Sequence, residues 1–276
     1  MNGGFSENLK NSPLGKSTPS VDTYTPSLLH SLPRATTRER TGTEPAFHGE
    51  DVWNAYEFTW LDRSAKPVVS RLRLRIPCHS PCIVESKSLK LYLGSFAQTR
   101  FNGEADVLKT LDSDLGVAVR SPLSVELIPL RHLDQLPPGL PGVCLDDLEG
   151  EFTANQPDAD LLRMEGDHTV VHESVHSHLF RSVCPVTGQP DYATVWIAYR
   201  GYPIARRNLL QYLVSYRQHA AFHEAVIENI WHDLMRHCSP LSLAVHGFFQ
   251  RRGGIDINPF RSSENEQALL IRLPRQ

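Results

Sequence analysis

The chain has 276 residues, with 28 lysines and arginines against 31 aspartates and glutamates, for a net charge of −3. That near balance speaks against a protein that coats nucleic acid or an anionic membrane, where a basic excess is expected, and 40% hydrophobic with 21% charged residues is a globular composition. At ~150 residues per domain the length allows about two domains, and no apolar run reaches the ~18 residues of a membrane span.

The first residues, Met1-Asn2-Gly3-Gly4-Phe5-Ser6-Glu7-Asn8, lack the basic-then-apolar pattern of a secretory signal. With five cysteines, Cys78, Cys82, Cys144, Cys184 and Cys238, the odd number fits reduced thiols in a cytoplasmic protein. Residues 1–45 are polar and punctuated by Pro13, Pro19, Pro26, Pro33 and Pro45, so they read as an extended arm docked through Leu28, Leu29 and Leu32. Gly15-Lys16-Ser17-Thr18 looks like the end of a phosphate-binding loop, but Lys10 stands where its first glycine belongs and no strand precedes it.

Tyr56 to Leu61 is read as a strand. Leu72, Leu74 and Ile76 alternate with Arg71, Arg73 and Arg75, a half-buried strand. Helices follow over about 88–97 and 104–115, then a strand from Ser124 to Leu130. Pro137-Pro138-Gly139-Leu140-Pro141-Gly142 reads as a linker. Beyond it, strands are expected at His176–Val183, around Val195, Ile197 and Tyr199, around Leu243, Val245 and Phe249, and at Leu269–Leu273. Between about 206 and 237 two apolar stripes at helical spacing, Leu209, Leu210, Leu213, Val214 and then Phe222, Val226, Ile227, Ile230, Trp231, Leu234, predict two helices jointed near 217–221.

The two halves read alike: two strands, two helices, a strand. Tyr92-Leu93-Gly94-Ser95-Phe96 with Phe101 parallels Tyr212-Leu213-Val214-Ser215-Tyr216 with Phe222, about 120 residues on. This predicts a duplicated α+β unit, 46–145 and then 146–276.

Five groups carry possible chemistry. Cys184 ends a predicted strand and enters a turn with Pro185, Gly188 and Pro190, which folds Asp191 back towards it. It reads as a nucleophile with a neighbouring proton carrier, or as a buried thiol beside a turn aspartate. His223, in Phe222-His223-Glu224, falls on the apolar face of its helix, so it is a proton relay or a satisfied core histidine; Glu224 grips a ligand or complements the helix dipole. Glu85-Ser86-Lys87-Ser88 opens the first helix and reads foremost as a cap; Ala205 stands opposite Glu85 in the second half, so that carboxylate is unique to the first. Arg251-Arg252-Gly253-Gly254 is a basic turn able to take a phosphate. His168, His172, His176 and His178 with Glu173, and Cys78-x3-Cys82, lack a complete metal-ligand spacing, as does His219 with His223, and no metal is expected. No G-x-G-x-x-G fingerprint is present.

In this order, Glu85-Ser86-Lys87-Ser88-Leu89-Lys90-Leu91-Tyr92, Cys184 with Asp191 seven residues on, Phe222-His223-Glu224 and Arg251-Arg252-Gly253-Gly254 resemble the 7-cyano-7-deazaguanine reductases, the NADPH-dependent nitrile reductases of queuosine biosynthesis. The likeness runs from about Leu14 to Arg275 and fits the long, two-copy form. It implies two tandem tunnelling-fold (T-fold) units, each of antiparallel strands plus two helices, in a cytoplasmic homodimer. The implied substrate is a free 7-deazaguanine base, with neither nucleic acid nor membrane as partner. By the same resemblance Cys184 attacks the nitrile carbon to form a thioimide, Asp191 is the general acid, and His223 assists proton movement. Ile83, Val84, Glu85, His223 and Glu224 would contact the base, and Ser86, Lys87, Arg252 and Gly253 would hold NADPH. The two copies supply different groups, so a site drawing on both is expected, within one chain or across a dimer.

Two other readings make different predictions. A zinc-dependent cyclohydrolase-type enzyme on the same fold needs stoichiometric zinc and no NADPH. A non-catalytic purine-binding or scaffold protein is indifferent to Cys184→Ala.

Overall fold

Period-two alternation and helical apolar stripes set the elements, here in a computed structural model that describes residues 21, 23–38, 46–129, 139–166, 169–273 and 276. In chain order they are β1 (Ser31–Pro33), α1 (Ala35–Arg38), β2 (His48–Leu61), β3 (Pro67–Pro77), β4 (Cys82–Val84), α2 (Ser86–Gly94), α3 (Glu104–Val119) and β5 (Ser124–Pro129). Then come β6 (Val143–Cys144), β7 (Val171–Val183), β8 (Pro190–Gly201), α4 (Arg206–Ser215), α5 (His223–Cys238), β9 (Ser242–Phe249) and β10 (Ile255–Ser262). The class is α+β, with antiparallel pairing predominant. Two compact units emerge: Met1–Glu44, Asp51–Leu136 and Arg251–Asp256 form one, and Pro45–Glu50, Pro137–Gln250 and Ile257–Gln276 the other.

In the first unit the strands lie in the order β5-β3-β2, with β3 antiparallel to β5 from Ser70↔Pro129 to Arg75↔Ser124. Leu72, Leu74 and Ile76 are buried while Arg71, Arg73 and Arg75 stay half-buried, as the alternation predicts. Val107, Leu111, Leu115 and Val119, four residues apart, put the apolar stripe of α3 wholly inside. Phe96 stacks on Phe101 at 5.1 Å between ring centroids. The arm's described part is held by Leu32, which is buried, and by Tyr24, whose hydroxyl donates to Asp114 Oδ2 (2.6 Å) beside that of Tyr92 (2.7 Å).

In the second unit the order is β10-β9-β8-β7-β6. The first four strands are antiparallel and the two-residue β6 lies parallel to β7 at the edge. Tyr212 Oη donates to Asp233 Oδ2 (2.6 Å) and Ser215 Oγ to Tyr212 O (2.6 Å). In the first unit Ser95 Oγ donates to Tyr92 O (2.6 Å). The tyrosine, serine and aspartate thus recur within each unit at nearly the spacing of the repeated words.

Several sequence expectations need correction. β8 is buried on both faces, because Trp196 and Thr194 are covered as well as Val195 and Ile197; the segment at 141 crosses the second face, where Trp196 Nε1 donates to Pro141 O (3.0 Å). Leu269–Leu273 forms no strand. The last strand is β10, hidden from alternation by Asp256, Asn258 and Pro259, all on a strand with no exposed face. The helices begin and end within four residues of expectation, and a 3-10 turn, Tyr216–Gln218, makes the joint. Gly15 to Thr18, Pro137, Pro138 and His168 lie outside the described residues.

Candidate active site

The second unit gathers a thiol, a carboxyl and an imidazole. β7 and β8 pair to their ends, Ser182↔Asp191 and Val183↔Pro190. The loop 184–189 is closed by Cys184 N–H to Gln189 O (2.8 Å) and Gly188 N–H to Cys184 O (3.1 Å). Gly188 sits at φ +67, left-handed backbone that glycine adopts at little cost. Directly paired residues share a sheet face and residues two apart return to it, so Cys184, two beyond Ser182, follows onto the face of Asp191. Both are buried, at 9% and 3% exposure.

The approach to α5 completes the group. Residues 219–221 run alongside the end of β7, with Val183 N–H to His219 O (2.9 Å) and Ala221 N–H to Val183 O (3.2 Å). That starts α5 next to the loop. His223 Nε2 comes 3.2 Å from Asp191 Oδ1, and its ring stacks on Phe249 with centroids 3.8 Å apart and planes 7° from parallel. Its Nδ1 is buried without a hydrogen-bond partner among the described residues. The imidazole is therefore held flat, with Nε2 at ion-pair distance from the carboxyl. Acid and base side chains at that separation suit proton delivery to a group bound at Cys184. Glu224, 5% exposed, lies on the first turn of α5, where the helix favours a negative charge.

The first unit holds the other sequence candidates. Ile83 and Val84 are buried in β4 and lead into Glu85, the N-cap of α2. Its carboxylate accepts from Lys87 N–H (2.7 Å), Ser88 N–H (2.9 Å) and Ser86 Oγ (3.3 Å), so the cap reading is realised. A carboxylate has about four lone-pair sites; three are in use, which leaves room for about one further donor rather than two. Ala205 takes the same N-cap place on α4 and caps nothing with its side chain. Ser86 is exposed and Lys87 half-buried.

Arg252 and Ile255 exchange backbone hydrogen bonds (2.8 and 3.2 Å) across Gly253 and Gly254, at φ +58 and +87. Positive φ at both central residues is the type I′ signature. A Cβ on Gly253 would lie 2.8 Å from Lys90 Nζ, so the turn rests against the Lys90 side chain, and it is the positive φ that favours glycine here. Arg251 sits over the Tyr56 ring, 5.3 Å from its centroid, and Asp256 accepts from both Asn54 (2.8 Å) and Tyr56. Lys90 thus stands against a glycine turn opened by Arg252, and a cation beside exposed backbone fits the phosphates of a nicotinamide dinucleotide.

Some candidates do not come together. Glu173 is engaged by Tyr199 Oη and Arg206 and leaves the histidine cluster. His219 precedes α5 and follows the 3-10 turn, so it has no helical i, i+4 relation to His223. Cys78 and Cys82 are buried in the first unit and belong to no ligand cluster among the described residues. Sequence reading missed Lys90, which is exposed, and Phe249, which is wholly buried; only tertiary contacts set the one against Gly253 and the other against the His223 ring.

Residues 20–127 match the family described as "Nitrile reductase, 7-cyano-7-deazaguanine-reductase N-term" and residues 190–268 the family "QueF-like protein". A protein of Chromohalobacter salexigens is 43% identical over 272 residues, covering 97% of this chain and 98% of its own. One from Dechloromonas aromatica is 47% identical (91% of this chain, 90% of its own), and one from Burkholderia ambifaria 45% (94% and 96%). All three are named NADPH-dependent 7-cyano-7-deazaguanine reductase. This chain belongs to the 7-cyano-7-deazaguanine reductase family. Among the segments that match the reductase family models, the first holds Glu85 and Lys87, and the second holds Asp191, His223 and the glycine turn, beginning six residues after Cys184. The solved apo structure of the archaeosine synthase QueF-Like aligns with this reductase-family chain at a TM-score of 0.31 and 18% identity, over 37% of this chain and 98% of its own, too weakly to bear on the fold.

Proposed function

We propose that the protein reduces the nitrile of 7-cyano-7-deazaguanine to the 7-aminomethyl group at the expense of NADPH, in queuosine biosynthesis. The observation that carries this reading is the Cys184 loop with Asp191 and His223 beside it, in a chain whose relatives bear the reductase name. We also propose two tandem T-fold units, 46–145 and 146–276 after an arm at 1–45, in a cytoplasmic homodimer. The recurrence of the tyrosine–serine–aspartate bonds in each unit supports the duplication. No described helix is long and apolar enough to cross a membrane.

The sulfur of Cys184 bonds to the nitrile carbon as one C≡N π bond breaks, and the thiol proton passes by way of Asp191 to the nitrogen, leaving a covalent thioimide. His223, in contact with Asp191, replenishes that carboxyl from solvent. NADPH, when bound, would supply two hydrides in succession, one per molecule, while one further proton completes the amine and another restores the Cys184 thiol. The C–S bond breaks between the two transfers, returning Cys184. Ile83 and Val84 offer the base an apolar edge. Glu85 and Glu224 accept hydrogen bonds from its N–H groups, Glu85 with the one site its cap leaves open. Ser86, Lys87, Arg252 and Gly253 hold the cofactor's phosphates, with Lys90 added from the structure.

The test is nicotinamide absorbance with purified protein and the free base, wild type beside Cys184→Ala. About two NADPH are consumed per nitrile by wild type and none by the variant. Silence from folded wild type overturns the reading. Zinc-dependent turnover without NADPH would instead mark a cyclohydrolase, and base binding unaffected by Cys184→Ala without turnover would mark a non-catalytic binder.

A further inference from the structure

The second unit contains a ligand set that the reduction does not use. Cys144 Sγ and one ring nitrogen each of His176 and His178 lie within 4.8 Å of one another. The histidines are two apart on β7, hence on one face, and their rings meet edge to face with centroids 5.2 Å apart. Cys144 is 32 residues away in sequence. The parallel pairing of β6 with β7 sets it directly opposite His176, so no sequence spacing announces the cluster.

Three further observations point to an ion rather than to chance proximity. His176 is 91% buried, its Nδ1 makes no hydrogen bond to a described residue, and the Pro141 backbone is the polar group against its ring. An orphaned buried nitrogen is costly unless something satisfies it. His178 Nδ1 is tied to Thr194 Oγ1 (2.8 Å), which leaves Nε2 as the nitrogen for an ion and fixes the ring, as an outer contact does at metal sites. Asp146 accepts from Ser177 Oγ (2.7 Å) and from the His178 N–H (3.0 Å), so the residues after Cys144 are pinned beside the two histidines, next to the irregularity of β7 between Ser177 and Phe180.

We propose that Cys144, His176 and His178 bind one soft divalent cation of the zinc type, with solvent in the fourth position. Donors around tetrahedral zinc stand roughly 3.3–3.6 Å apart at bond lengths of ~2.0–2.3 Å. Closing the cluster therefore takes a shift of about 1 Å, which rotation of the exposed Cys144 side chain supplies. Thiolate with imidazole is a donor set that selects zinc over magnesium or calcium. The ion lies six or more residues up β7 from Cys184, roughly 20 Å at ~3.3 Å per residue. Its role is to fasten the edge segment carrying β6 to the sheet, apart from the reduction.

The probes are zinc and cobalt on full-length protein first stripped with a chelator. Wild type is expected to retain one zinc per chain after dialysis against a competing chromophoric chelator, and with cobalt to show a thiolate charge-transfer band. Zinc should also slow alkylation of Cys144. Cys144→Ser and His176→Gln, checked for folding by circular dichroism, should bind at least tenfold more weakly, and Cys144→Ser should keep full NADPH oxidation. Zinc lost by wild type as readily as by the variants overturns the site. So does cobalt binding without the thiolate band, or zinc held equally well by Cys144→Ser.

Discussion

Asp191 and His223 touch at 3.2 Å, and stacking on Phe249 holds the plane of the imidazole. If the pair moves the proton, Asp191→Asn lowers kcat/KM by roughly 10²–10⁴-fold, the usual weight of general acid catalysis. His223→Gln lowers it less, and neither changes the Tm much. Steady-state kinetics beside a thermal melt check this, and an Asp191→Asn enzyme at wild-type rate removes the role. A second histidine affects stability instead. His246, wholly buried and set between Trp196 and Phe260 across the sheet, has its pKa pushed down by burial from 6.5 to about 3. The unfolded chain then binds the extra proton anywhere between those values, so stability falls as pH drops through that window, by up to ~1.4 kcal/mol per pH unit. His246→Leu should flatten that part of the curve in denaturant titrations at pH 6.5, 5.5 and 4.5 (points inside the window). An unchanged slope would place the acid sensitivity elsewhere.

At the scale of an element, α2 is closed by a single carboxylate, to which the proposed function gives a second role at the base. Glu85 closes the helix N-terminus through Lys87 and Ser88, and Ser88 Oγ returns a bond to Glu85 O (2.7 Å). Glu85→Ala removes the cap and is expected to cost about 1 kcal/mol. Glu85→Gln keeps an acceptor for one helix N–H and loses the charge. Its stability should stay closer to wild type while KM for the base rises about tenfold, since charge-assisted bonds are worth ~1.5–3 kcal/mol. Urea unfolding and KM measured on the same two variants separate the roles. Equal loss of stability with KM unmoved would leave Glu85 a cap alone.

For the molecule as a whole, a net charge of −3 leaves local basic clusters to do the anion binding. Lys90 lies against the glycine turn that Arg252 opens, and with Lys87 on the same helix these are the residues proposed to hold the cofactor's phosphates. Their attraction for a phosphorylated cofactor is screened by salt, while a neutral base held by hydrogen bonds is nearly indifferent. Between ~50 and ~200 mM salt, KM for NADPH should therefore rise several-fold and KM for the base hardly change. A salt-independent KM for NADPH would argue against these residues as its phosphate site.

What the sequence by itself determined was local. The alternation at Leu72–Ile76, the stripes of α4 and α5 and the joint between them all depend on neighbours a few residues apart, and the structure reproduces them. So does the N-cap register of Glu85 and Ala205. The residues that resemble a reductase were legible because each motif is a short run. What only the tertiary structure decided was long-range. β10 escaped notice because a strand covered on both faces has no alternation to read. Phe249 became the platform of His223, and Lys90 a neighbour of Gly253, only once strand register and helix start had been set. Cys144 reached His176 through a parallel pair spanning 32 residues, a contact whose partners carry no mark of each other in the chain.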